Sequence, residues 1–93
     1  MVIEREATIV NPLGMHARPA AELVKTASKF RAAIHVQRGE LKVNAKSILG
    51  VMMLAAEQGS TITLLAEGED APAAIDALCA LVADGFHEMD LKA

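Results

Sequence analysis

Ile34-His35-Val36-Gln37-Arg38-Gly39-Glu40-Leu41-Lys42-Val43-Asn44 is the stretch that decides the fold. Ile34 and Val36 alternate with His35 and Gln37, and Leu41 and Val43 alternate with Lys42 and Asn44. Period-two alternation marks strands with one apolar face. Arg38-Gly39-Glu40 supplies the turn between them, so the two strands form a hairpin.

Working outward, Val2 to Val10 places Ile3, Ala7 and Ile9 on one side, with Arg5 interrupting, and reads as a first strand. Asn11-Pro12-Leu13-Gly14 is turn chemistry. Ala20, Leu23, Val24, Ala27 and Phe30 recur at helical spacing, which predicts a helix from about Ala17 to Lys29. After the hairpin, Ser47 opens a short helix carrying Ile48, Leu49, Met52 and Met53, closed near Gln58-Gly59. Thr61 to Glu67 alternates again, a fourth strand. Asp70 then caps a last helix striped by Ala71, Ala74, Ile75, Leu78, Leu81 and Val82, with Gly85 ending it and Phe86 folding back. The order is βαββαβα. One apolar face per strand implies a single antiparallel sheet covered on one side by helices, an α+β fold. Periodicity alone fits several strand orders, ferredoxin-like ones included.

The 93 residues suit one domain, 1–93. Hydrophobic residues make up 53%, but 18 are Ala and the only aromatics are Phe30 and Phe86, so the core must be aliphatic. Mean hydropathy is +0.31, yet no apolar run approaches the roughly 20 residues of a membrane span. Glu4, Arg5 and Glu6 stand where a signal peptide would be apolar, so a cytoplasmic protein without membrane insertion is expected. A single cysteine, Cys79, excludes an internal disulfide and reads as a small apolar residue. Residues 1–46 carry a surplus of four positive charges and residues 47–93 a deficit of seven. With a pI of about 5.5 and no Trp or Tyr, the chain lacks the basic surplus and stacking platforms of a nucleic-acid binder. The basic half suits an anionic group or an acidic protein surface. No pair of His, Cys or carboxylates has metal-ligand spacing, and no glycine-rich loop offers a nucleotide site, so neither metal nor cofactor is expected. His35 alternates outward on its strand and His87 follows Gly85; both read as surface residues.

Gly14-Met15-His16-Ala17-Arg18-Pro19-Ala20-Ala21 carries the chemistry. Pro19 lacks an N–H and is tolerated only in a first helical turn, which puts the helix start at His16 or Ala17. Unpaired N–H groups, the positive end of the helix dipole and the Arg18 guanidinium then converge where a tetrahedral dianion would sit. The same field favours a neutral, nucleophilic imidazole. One reading of the constellation is a phosphoryl-accepting His16. Spacing alone favours the plainer reading, a capping histidine beside a solvated arginine.

The octapeptide resembles the phosphohistidine signature of HPr, the phosphocarrier of the bacterial phosphoenolpyruvate-dependent phosphotransferase system. Lys46-Ser47-Ile48-Leu49-Gly50-Val51-Met52-Met53-Leu54-Ala55 is similar to that family's serine-centred motif, at the family's separation from the first. Gln58-Gly59, Glu67-Gly68-Glu69-Asp70 and the chain length agree as well. The resemblance spans essentially the whole chain. It implies an open-faced β-sandwich, four antiparallel strands with three helices on one face. It also implies that His16 takes a phosphoryl group on Nδ1 from the phosphohistidine of enzyme I and passes it to a histidine of an enzyme IIA domain. Arg18 would position that group. Such a chain is a relay with no turnover of its own, expected to act as a monomer in the sugar-uptake or the nitrogen-related branch. Some family members carry lysines where this chain has Ser28 and Gly50; Met52-Met53-Leu54-Ala55-Ala56 and the tail after Gly85 look more like the nitrogen-related branch.

Ser47 caps its helix on either reading. In some relatives the corresponding serine is phosphorylated by HPr kinase/phosphorylase, which makes Ser47 a candidate regulatory site. Ile48, Leu49, Met52 and Met53 within six positions exceed what one side of a short helix can bury. Together with Met15, Ala17 and Ala21 they are expected to form a docking patch for enzyme I, rimmed by Arg18, Lys25 and Lys46. The alternative is a regulatory paralogue of the same fold that docks without carrying phosphate on histidine. Intact His16 and Arg18 argue against it.

Overall fold

The computed structural model describes residues 2–88. Strand β1 (Val2–Thr8) leads into helix α1 (Ala17–Ala27), the hairpin β2 (Ala33–Arg38) and β3 (Leu41–Asn44), and the short helix α2 (Ile48–Met53). Strand β4 (Thr61–Glu67) and helix α3 (Ala71–Ala83) follow, then a 3-10 turn over Gly85–His87. This is the βαββαβα order expected. The strands form one antiparallel sheet in the order β1-β4-β2-β3, which periodicity had left open.

Register decides which side chains reach the core. Ile62, Leu64 and Ala66 of the central β4 lie opposite Ala7, Arg5 and Ile3 of β1, while Leu64 and Ala66 also face Val36 and Ile34 of β2. Val36 in turn faces Val43 of β3. These positions share one face, and Ile34, Val36, Ile62 and Leu64 are buried beneath the helices. Arg5 is the exception at the outer strand. Its guanidinium reaches Asp76 on α3 at 3.2 Å, an exposed pair of small energetic weight. Helix α3 covers β1 and β4, and α1 packs against both α2 and α3. Ala20, Leu23 and Ala27 of α1 and Ala74, Ile75, Leu78 and Val82 of α3 point inward. Each buried Leu, Ile or Val contributes about 1.5–3 kcal/mol, so a largely aliphatic core holds with Phe86 as its buried aromatic. On the other face Glu4, Glu6, Thr61 and Glu67 are exposed.

Three boundaries differ from the sequence reading. Strand β1 ends at Thr8, although Ile9 stays fully buried and bonds to Ser60 and Gly59. Helix α1 ends at Ala27 because its last turn tightens: Lys29 and Phe30 donate to the carbonyls three residues back. Helix α2 stops at Met53, well short of Gln58-Gly59. Ala55 takes a left-handed conformation (φ 48°), which turns the Ala56 carbonyl toward Met15.

Asp70 sits at the α3 N-cap but does not cap it. Its two carboxylate oxygens accept from the N–H groups of Arg31 and Ala32, each at 2.8 Å, fastening the α1–β2 connection to the α3 entrance. The Arg31 N–H foremost holds this carboxyl below the usual aspartate value, against the next-largest effect, burial, and is helped by the N–H groups of Ala32 and Asp70 itself and by the Lys46 ammonium.

Candidate functional site

His16 is the N-cap of α1, with extended backbone (φ −86°, ψ −172°), and its side chain makes no capping bond. The imidazole is thus left over the open helix end, 36% exposed. Ala17 and Arg18 occupy the first two helical positions, whose N–H groups no helical carbonyl can reach. Pro19 follows in the same turn, buried, where its missing N–H costs nothing. Arg18 is exposed beside this end. The helix start and its open N–H groups therefore fall where the sequence reading put them, with Arg18 at the second helical position.

The preceding loop fixes the histidine. Gly14 adopts φ +67°, and a Cβ there would lie 2.6 Å from the Ala56 carbonyl oxygen and 2.8 Å from Glu57 Cα. Only glycine fits. Met15 N–H then donates to the Ala56 carbonyl at 2.7 Å. Asn11, fully buried, donates from Nδ2 to the Gly14 carbonyl at 2.8 Å and to Glu88 Oε1 at 3.1 Å.

Two residues at this site escaped sequence reasoning. Asn11 read only as a turn former. Glu88 was not singled out, yet it is 3% exposed and its Oε1 lies 3.0 Å from His16 Nε2. It sets a carboxyl group against the ring, which the helix end alone did not foretell. The available signal was Gly85-Phe86: a glycine stop followed by an aromatic that turns back brings the next residues over the α1 end. Phe86 is indeed buried.

The expected docking residues separate. Ile48, Leu49, Met52 and Met53 are all exposed, Leu49 to 77% and Met53 to 66%, because Val51 and Leu54 fill the core side of α2 instead. Ala17, Ala21 and Lys25 are exposed on α1. Met15 is not: its side chain is buried, since the left-handed Gly14 and the bond to Ala56 roll it into the core. It cannot belong to an exposed patch. Lys46 is half-buried, its ammonium donating to the Phe30 carbonyl at 2.8 Å, which makes it a brace between the α1–β2 and β3–α2 connections. Ser47 caps α2 as expected, Oγ accepting from the Gly50 N–H at 3.1 Å. Cys79 is half-buried, His35 half-buried on the open face of the sheet, and His87 exposed beside Asp84. Among the described residues no three His, Cys, Asp or Glu side chains cluster as a metal site would require, and no helix is long and apolar enough to cross a membrane.

Fold and site define an open-faced sandwich that displays one histidine at a helix N-terminus beside an exposed apolar helix. Residues 3–84 match the family model described as the PTS HPr component phosphorylation site. The chain belongs to the HPr family of the phosphotransferase system. It is 52% identical to the phosphocarrier protein NPr of Shewanella violacea, over 92% of this chain and 94% of that protein. It is 48% identical to the phosphocarrier protein HPr of Cupriavidus necator, over 94% and 98%. The crystal structure of HPr from Thermoanaerobacter tengcongensis superposes with a TM-score of 0.89 at 49% identity, covering 92% of this chain and 97% of that one.

Proposed function

We propose that this protein is a cytoplasmic, monomeric phosphocarrier in which His16 Nδ1 accepts a phosphoryl group from the phosphohistidine of enzyme I and delivers it to a histidine of an enzyme IIA domain. The single observation that carries this reading is the half-exposed imidazole at the N-cap of α1, over open N–H groups. Those groups and the helix dipole stabilise a dianion held on the ring, and Arg18 neutralises part of its charge. Exposed Ile48, Leu49 and Met52, with Ala17, Ala21 and Lys25, form the surface on which both partners dock in turn. Ser47, half-buried at the edge of that surface, is the position at which an HPr kinase/phosphorylase would add a charge that blocks docking.

Incubation with phosphoenolpyruvate and a cognate enzyme I tests the reading. Acid-labile phosphate on the protein is expected. A protein that docks but acquires none is a regulatory paralogue.

A further inference from the structure

The carboxylate of Glu88 is buried beside the reacting ring. Oε1 receives Asn11 Nδ2 and faces His16 Nε2, and Oε2 has no partner among the described residues. An ionised carboxylate only accepts hydrogen bonds, so the ring nitrogen that faces it carries the hydrogen. The imidazole is then the Nε2–H tautomer, with its lone pair on Nδ1. Asn11 braces the arrangement from the other side, because the same amide holds the Gly14 carbonyl in the loop that sets His16. The chain reaches Glu88 through three consecutive left-handed residues, Gly85 (φ 67°), Phe86 (φ 55°) and His87 (φ 64°). For Phe86 and His87 this is a strained conformation of the kind that persists where the surroundings impose it.

We infer that Glu88 is a positioning residue for His16, fixing the Nε2–H tautomer, presenting the Nδ1 lone pair to the incoming phosphoryl group and balancing the charge the ring gains. The inference rests on the phosphocarrier reading. The Nδ1 lone pair forms the new N–P bond as the donor's N–P bond breaks, and that electron pair returns to the donor nitrogen. No proton leaves: Nε2–H is kept, and the His16 ring becomes a cation beside a carboxylate already in place. Delivery reverses each change.

The test uses the intact protein with 15N-labelled histidine, unphosphorylated, at a pH where the ring is neutral. Long-range proton–nitrogen NMR spectra report which nitrogen bears hydrogen. Wild type and Glu88→Gln, whose amide oxygen still accepts, should both show the Nε2–H form. Glu88→Leu, which fills the space without an acceptor, should shift the Nδ1 resonance toward its protonated position. Phosphoramidate, a small donor that needs no docking surface, should phosphorylate wild type on Nδ1 and Glu88→Leu on both nitrogens. A wild-type Nδ1–H tautomer, as a protonated Glu88 would produce, overturns the inference and needs no variant to fold. Unchanged tautomer and isomer in folded Glu88→Leu overturn it equally. Failure of enzyme I to phosphorylate His16 would sink the carrier reading instead, leaving the tautomer result standing.

Discussion

Met15 and Ala56 are joined by a 2.7 Å bond from the N–H of one to the carbonyl of the other, and this bond ties the loop before His16 to the chain leaving α2. The loop that sets His16 is thereby held against the chain that leaves the exposed helix α2. Gly14 is the condition for that closeness.

Gly14→Ala combines a left-handed backbone with a Cβ placed against the Ala56 carbonyl. It should destabilise the fold by about 2 kcal/mol or more. Urea denaturation measures this directly, as a lower midpoint at an unchanged slope.

Ser47 separates capping from docking. Ser47→Ala loses the bond to the Gly50 N–H, costing about 1 kcal/mol of stability while leaving phosphoryl transfer near normal. Ser47→Asp keeps an oxygen at the cap and should be as stable as the wild type or slightly more so. Its charge beside Ile48, Leu49 and Met52 should weaken transfer from enzyme I by roughly ten- to hundred-fold, or about 1–3 kcal/mol. Equal transfer rates for the two variants would mean that nothing docks beside the serine.

Leu49→Asp tests the patch itself. At 77% exposure Leu49 contributes little to folding, so stability should stay within about 0.5 kcal/mol. Affinity for enzyme I, measured by calorimetry, should fall by about tenfold or more. Unaltered affinity would place the contact elsewhere.

Asp70 supplies a pH dependence. Its folded-state value lies below the unfolded one, so its contribution is present above the unfolded value of 3.8 and is lost as pH falls through the folded value. Asp70→Asn retains one accepting oxygen for the two N–H groups of Arg31 and Ala32. The variant should therefore be less stable than wild type at pH 7, and the gap should close below about pH 4. Parallel stability curves from pH 7 down to 3 would contradict this role.

Strand and helix positions were legible because each element has one apolar face, and the register of Val36 against Leu64 and Val43 places those faces together. The strand order was beyond periodicity, since a period of two says which side a residue takes and nothing about its neighbour across the sheet. The capping role of Asp70 and the end of α2 were beyond local pattern, because in each case a polar group serves a distant partner. Asp70 serves Arg31 and Ala32, and the chain beyond α2 turns early to serve Met15. Met15 illustrates the same limit: beside His16 in sequence, it is turned inward by one glycine. At the site, His16, Arg18 and Pro19 announced themselves through helix-start chemistry. Glu88 lies 72 positions from His16, and no local pattern links them.

The most direct measurement is phosphoryl transfer through His16 followed in both directions. Radiolabelled phosphoenolpyruvate with enzyme I should put acid-labile label on the wild type, and an added enzyme IIA domain should remove it. His16→Ala should fold within about 1 kcal/mol of wild type and take up no label. Label on the His16→Ala variant, or label on the wild type that no enzyme IIA domain can remove, would contradict a relay centred on this histidine.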